Sequence, residues 1–220
     1  TYAFPALYRI GSDGSWEYVP VLESVRQLVK NLEYDGQGNI WCEHFKCGLV
    51  KLEMSPDFGQ LEEEIEISEL GEVRDTVFNV MKVNGRVVFS NGRGFYIHDN
   101  LSEEMIPYED MNVAFAGIGN IHQAEYVSDA CYWFISDRMA VLAYCGKDGF
   151  RIIRKIPFSY FGVSVEERAS IMLDPVSGDS YLLLCNMVIR IDNDKAFVPD
   201  GNHRQEISVL EVVAKDRDGD

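Results

Sequence analysis

A unit of about 46 residues recurs along this chain, and it limits the folds available more than any other feature. Each copy has a turn rich in Gly, Asp or Asn, a short strand of β-branched and aromatic residues, a second turn and another short strand. The copies run from Asp35-Gly-Gln-Gly-Asn-Ile-Trp41 to Leu52, from Val83-Asn-Gly85 to His98, from Ser128 to Tyr144 and from Pro175-Val-Ser-Gly178 to Ile191. Aligning Trp41, Val88, Trp133 and Leu182 gives steps of 47, 45 and 49; aligning Gly48, Gly94, Ala140 and Val188 gives 46, 46 and 48. Two independent markers keep one period, so chance is a poor explanation. Asp-Gly, Asn-Gly and Ser-Gly supply the positive φ of tight hairpins, and Val, Ile, Phe, Tyr and Trp suit pleated, buried surfaces. A period of about 40–50 residues with several short strands is that of a β-propeller blade. The expected fold is all-β, a partial β-propeller of four to five four-stranded antiparallel blades.

The repeats fall near 25–70, 71–117, 118–163 and 164–200. Residues 1–20 read as the end of a preceding blade, with strands Leu7-Tyr-Arg-Ile10 and Ser15-Trp-Glu-Tyr-Val19 around the turn Gly11-Ser-Asp-Gly14. One stretch gives a conflicting signal. Val21, Leu22, Val25, Leu28, Val29 and Leu32 recur at helical spacing, whereas the repeat requires an inner strand over 25–33, directly before the 35–39 turn. The repeat takes precedence. Ser164-Val-Glu-Glu167 has the form of a capping box and predicts one helical turn before the last blade. The acidic stretch 61–72 reads as a solvated edge strand and loop, charged against edge-to-edge pairing.

The chain carries 36 acidic and 20 basic residues, a net charge of −16, and 46% hydrophobic residues, enough for a real core. The first 110 residues hold 20 acids against 9 bases and the second 110 hold 16 against 11, so no basic face hides behind the average. That balance excludes nucleic acid as a partner, because phosphate binding needs clustered Lys and Arg. No apolar run is long enough to cross a membrane. Residue 1 is Thr and no signal-peptide pattern precedes it, so the expectation is a piece of a longer polypeptide. Of the five cysteines, Cys42, Cys131, Cys145 and Cys185 have apolar or aromatic neighbours and read as buried, inert thiols. Cys42, His44 and Cys47 lack the second ligand pair that a zinc site needs.

The run Val25-Arg-Gln-Leu, Asp35-Gly-Gln-Gly-Asn-Ile-Trp41 and Cys47-Gly-Leu-Val-Lys-Leu52 resembles the two-component regulator propeller repeat, which passes from an apolar strand through D-x-x-G-N-[IL]-W to G-G-[IL]-x-x-[IL]. Cys47 stands where that pattern has its first Gly, and Gly94-Phe-Tyr-Ile97 keeps the second element in the next copy. Residues 205–213, followed by Lys215-Asp-Arg-Asp-Gly-Asp220, resemble the strand by which such propellers enter an immunoglobulin-like domain, so 201–220 reads as a linker and the first strand of that domain. The resemblance implies a periplasmic sensor region of a hybrid two-component receptor. It further implies oligosaccharide recognition, more blades and an immunoglobulin-like domain in the same polypeptide, homodimerisation, and a histidine kinase beyond the membrane.

The residues themselves demand no enzyme and no cofactor. His44, His98, His122 and His203 lie in four different repeat contexts without metal-binding spacing, and there is no G-x-S-x-G elbow. Residues 216–220 are similar to part of a calcium loop but lack its Glu and flanking helices. No catalytic, metal or ligand-binding residue is assigned. Trp16, Tyr18, Tyr108, Tyr126 and Tyr160 lie near turns where an aromatic face can meet a sugar; Trp41 and Trp133 read as wedges between blades. Three functions stay open: a non-catalytic sensor segment, a polysaccharide-active propeller enzyme (glycosidase or lyase), and a protein-binding scaffold. An incomplete set of blades leaves edges and apolar faces open, so the fragment is expected to pack against further blades or against another copy.

Overall fold

The repeat folds into antiparallel sheets. The computed structural model describes residues 3–46, 48–74, 77–196 and 210–215. A hairpin of β1 (Leu7–Ile10) and β2 (Trp16–Val19) comes first. The first four-stranded sheet is β3 (Val29–Tyr34), β4 (Asn39–His44), β5 (Leu49–Met54) and β6 (Leu61–Ile67). A short pair, β7 (Glu69–Leu70) and β8 (Val73–Arg74), leads to the second: β9 (Asn79–Val83), β10 (Arg86–Ser90), β11 (Phe95–Asp99) and β12 (Glu104–Pro107). After helix α1 (Glu109–Ala114) comes the third: β13 (Ile121–Ser128), β14 (Cys131–Ser136), β15 (Met139–Gly146) and β16 (Gly149–Pro157). The fourth is β17 (Ser170–Leu173), β18 (Ser180–Leu184), β19 (Met187–Ile191) and β20 (Leu210–Lys215), with the helical turn α2 (Asn193–Ala196) before β20. Every sheet pairs its strands in chain order. The protein is therefore all-β, built of four four-stranded blades of the β-propeller class.

The chain divides into two compact units, residues 1–107 and 108–220. In the first, the middle strands of the first blade are covered on both faces. Ile40, Cys42, Val50, Leu52 and Met54 join Leu22, Val25 and Val29 on one side. Trp41 and Leu49 join Phe78, Val80, Val87 and Phe89 of the second blade on the other. Double burial is why Ile40-Trp-Cys and Leu49-Val read as continuous apolar runs rather than alternation. In the second unit Trp133, Leu142, Ile171, Leu182 and Ile189 form the corresponding core between the third and fourth blades. The four markers aligned by the repeat, Trp41, Val88, Trp133 and Leu182, all lie on the second strand of a blade, and all are buried.

First strands seal one blade to the next. Asn31 on β3 donates its amide N–H to the carbonyl of Val80 on β9 (2.8 Å). At the matching place in the second unit, Gln123 on β13 donates to the Ile171 carbonyl (2.8 Å) and accepts from the Ile171 N–H (2.9 Å) on β17. Gly48 opens β5 at φ +73°, with the position of an added Cβ 2.4 Å from the Ile67 carbonyl oxygen, so only glycine fits there.

The conflict over residues 21–32 resolves as a short 3-10 turn, Pro20–Leu22, then a turn at 23–24, irregular chain and a strand from Val29. The helical spacing arises because Leu22, Val25 and Val29 all drop into the same cluster from a crossing segment. The helical turn expected at 164–167 is absent; helix-like backbone ends at Phe161, and Glu166 instead accepts the N–H groups of Arg168 (3.0 Å) and Cys185 (3.3 Å). Helix α1 goes beyond the sequence reading, although Met111, Phe115 and Ile118 recur at helical spacing and are all buried. Leu210–Lys215, read from the sequence as entering a further domain, pairs along β19 as the fourth strand of the last blade. An apolar, β-branched strand completes a sheet edge as readily as it starts a new sheet. Cys42, Cys131 and Cys145 are buried free thiols, but Cys185, read as buried, is exposed because it sits in the turn between β18 and β19. Cys47 and residues 216–220 lie outside the described residues.

Candidate functional site

The D-x-x-G-N-I-W segment folds around one carboxylate. Asp35 Oδ1 accepts the backbone N–H of Gln37 (2.7 Å) and Asn39 (3.1 Å). Its Oδ2 accepts the Asn39 amide (2.7 Å) and the Trp41 indole N–H (3.3 Å). Gly36 and Gly38, at φ +83° and +111°, let the chain curl tightly enough to present those donors. Burial pushes the Asp35 carboxyl up, but its four donors outweigh that and hold it below the usual carboxylate range.

This turn borders a cleft of about 420 Å³ between the first and second blades. The cleft is floored by Trp41, Val87, Phe89, Ile97 and Ile106 and rimmed by Gln37, Arg86, His98, Asp99 and Asn100. A hydrogen-bonded chain crosses it. Asn100 donates to the Gln37 side chain. His98 Nδ1 meets Asn100 Oδ1 (2.7 Å), and its Nε2 lies 3.4 Å from Glu103. Lys51 Nζ bridges Glu103 (3.2 Å) and Glu53 (2.6 Å). The Trp41 ring is the hub: Phe89 lies 4.8 Å away, His98 5.0 Å and Lys51 Nζ 5.6 Å. Lys51 is buried along its stem; burial lowers its affinity for a proton, but the two glutamates outweigh that and raise it. Volume, an apolar floor and converging polar groups are the marks of a small-molecule site.

Both carboxylates that line the cleft are already engaged. Asp35 is saturated by its own turn. Asp99 accepts the Ser102 hydroxyl (2.8 Å), which holds it below the ordinary range. Neither carboxylate is poised as a general acid. Two other acids are raised by burial: Glu33 on β3, paired across from Trp41, and Glu125 on β13, paired across from Trp133.

The aromatics singled out in the sequence do not converge on this cleft. Trp16 is 71% exposed and Tyr18 donates to Glu23 (3.3 Å), both on the hairpin. Tyr108 packs edge-on against Phe150, Tyr126 lies against Tyr132, and Tyr160 is exposed beyond β16. Sequence reasoning missed Gln37, Lys51, Arg86, Asn100 and Glu103. One signal was available, since Lys51 interrupts the apolar strand 49–52 at a position whose neighbours are all buried.

No family model matches the chain, and no curated protein matches it in sequence. Among solved structures it is similar to virginiamycin B lyase from Staphylococcus aureus, with a TM-score of 0.53 and 11% identity over 95% of this chain. It spans 62% of that protein's length. An auxiliary nutrient binding protein from Bacteroides thetaiotaomicron gives a TM-score of 0.47 at 9% identity over 84% of this chain and 51% of that one. The extracellular domain of a putative hybrid two-component system from the same organism gives 0.45 at 8% identity, over 96% of this chain and 33% of that one. At such identities the first likeness is one of fold.

Proposed function

We propose that the chain is a non-catalytic, periplasmic sensor segment of a two-component receptor, and that the cleft beside Trp41 recognises an oligosaccharide. The observation that carries this reading is the turn itself. The segment that resembles the two-component regulator propeller repeat closes around Asp35 and places Trp41 at the hub of a polar, 420 Å³ cleft. Side-chain amides, a guanidinium and an imidazole over an apolar floor suit a neutral polyhydroxyl ligand. In the intact receptor, further blades and an immunoglobulin-like domain would carry the signal to a membrane-spanning kinase in a homodimer. The ligand shifts that equilibrium only by its differential affinity for two blade arrangements. Calorimetric titration of the chain with a library of neutral and acidic oligosaccharides tests this. We expect saturable heat with a neutral glycan, lost in Asn100→Ala and Arg86→Ala. A folded protein that gives no heat with any glycan would falsify the assignment.

A further inference from the structure

The hairpin β1–β2 is a two-stranded sheet in a chain whose blades have four. Its position along the chain identifies which half it is. From the last strand of a blade to the first strand of the next, the chain runs 67 to 79, 107 to 121 and 157 to 170, steps of 12, 14 and 13 residues. From β2 to β3 it runs 19 to 29, a step of 10. By spacing, β2 fills the place of a fourth strand and β1 that of a third. β1 has one strand partner, β2, among the described residues, so its other backbone edge is open.

The surface beside that edge is a half-filled version of the seal seen elsewhere. Toward the second blade, β3 is covered by β9 and latched by Asn31. On its opposite side Leu32 and Tyr34 are 43% and 37% exposed. There they line an apolar cavity of about 560 Å³ with Leu7, Val19, Ile40 and Phe58. Among the described residues, Ala3 bridges the start of β3 by exchanging two backbone hydrogen bonds with Val29 (3.1 and 2.9 Å). Tyr8, which also lines the cavity, and Ile10, Trp16 and Tyr18 stand on the hairpin at 55, 61, 71 and 47% exposure. Register places Tyr8 opposite Tyr18 and Ile10 opposite Trp16, so all four share one face.

We propose that β1–β2 is the outer half of a further blade, and that its inner half is an antiparallel pair of β-strands supplied by the same polypeptide ahead of Ala3. That pair adds to the open edge of β1 and fills the cavity against β3 and β4. In the complete blades the first two strands with their turn occupy 29–44, 79–90, 121–136 and 170–184, or 12 to 16 residues. The missing pair has that length and carries Val, Ile, Leu or an aromatic at alternate positions facing the cavity. The proposal stands independently of what the Trp41 cleft binds. A second copy is the less favoured occupant, because two chains of charge −16 repel.

Amide hydrogen exchange on the 220-residue chain and on the same chain with its natural residues ahead of Thr1 tests this, with anilinonaphthalene sulfonate as the probe of the cavity. The expected result is about tenfold slower exchange at Leu7–Ile10 in the longer chain, as in buried sheet strands, and loss of the dye fluorescence that the shorter chain shows. If the longer chain fails to fold, a synthetic peptide of those preceding residues titrated into the shorter chain decides, expected to displace the dye one to one. Unchanged exchange and no displacement overturn the proposal, as does a natural protein with no such strand pair ahead of residue 1. A shorter chain that sediments as a dimer with Leu7–Ile10 protected assigns the edge to a second copy instead. Dye displaced by oligosaccharide and not by the peptide assigns the groove to a glycan.

Discussion

Trp41 and Trp133 occupy one position of the repeat, yet their surroundings differ. Both lie on the second strand of a blade and both are buried, at 1% and 0% exposure. Trp133 donates its indole N–H to Asn193 (3.0 Å), which is itself fixed by the Gly178 carbonyl and Ser180, and sits in a dry cluster with Leu142, Ile171 and Ile189. Trp41 donates back to its own turn at Asp35 and has Lys51 and His98 against its ring beside an open cleft. The repeat dictates the ring; the less regular third strands and turns decide whether the seam is dry or polar. An open, polar cleft arises where the repeat has diverged while its wedge is kept.

Truncating the two rings breaks the comparison most directly. Trp133→Ala should cost about 3–5 kcal/mol, since it leaves a dry cavity and an unpaired Asn193 oxygen. Trp41→Ala should cost clearly less, because water from the cleft can enter the space. Urea unfolding of both variants reads the difference, and equal losses would erase the distinction. Next in size is Gly48→Ala, expected to cost about 2–3 kcal/mol through positive φ and the clash with the Ile67 carbonyl. Gly178 in the second unit has φ +77° with open space around it, so Gly178→Ala should cost about 1 kcal/mol.

Much of this fold could be read from the sequence because a propeller blade is specified locally. Turn residues, β-rich strands and their period are properties of adjacent positions, so Asp35 to Trp41 and the 7–19 hairpin were both legible. What depends on neighbours was not. The spacing of Leu22, Val25 and Val29 mimics a helix because side chains from a crossing segment meet one cluster, and sequence period alone does not separate these cases. Leu210–Lys215 has the composition of any β-strand, and only pairing with β19 shows which sheet it joins. The cleft groups Gln37, Arg86 and Asn100, and the Lys51–Glu103 pair beside them, come from two blades, and no spacing in the sequence announces that they meet.

The Asp35 turn gives a pH signature of its own. Its carboxyl is held below the ordinary carboxylate value in the folded chain. The stability it contributes is therefore fully present above the unfolded value near 3.9 and is lost as pH falls through the lower, folded one. Asp35→Asn keeps one acceptor oxygen and should cost about 1–2 kcal/mol at pH 7. The gap between wild type and variant should narrow at pH 3; a constant gap would show that the carboxylate's charge contributes nothing to the turn.

The smallest effect sharpens the contrast without changing stability. Burial pushes the thiols of Cys42 in the first unit and Cys145 in the second up to about 12, so at pH 8 neither presents appreciable thiolate. Among the described cysteines Cys185 alone is exposed and should react before the buried ones with iodoacetamide. The order of the other two follows from their neighbours. Cys42 belongs to the cluster that borders the half-filled cavity, whereas Cys145 is closed in by β14 and β16 and by the backbone bond from its N–H to the Ala130 carbonyl (2.7 Å). Local opening is easier where apolar contacts are fewer, so Cys42 should be modified before Cys145 when site-resolved mass spectrometry follows the reaction in native buffer. The reverse order would mean that the edge beside β1 is already sealed, and that the first unit is no looser than the second.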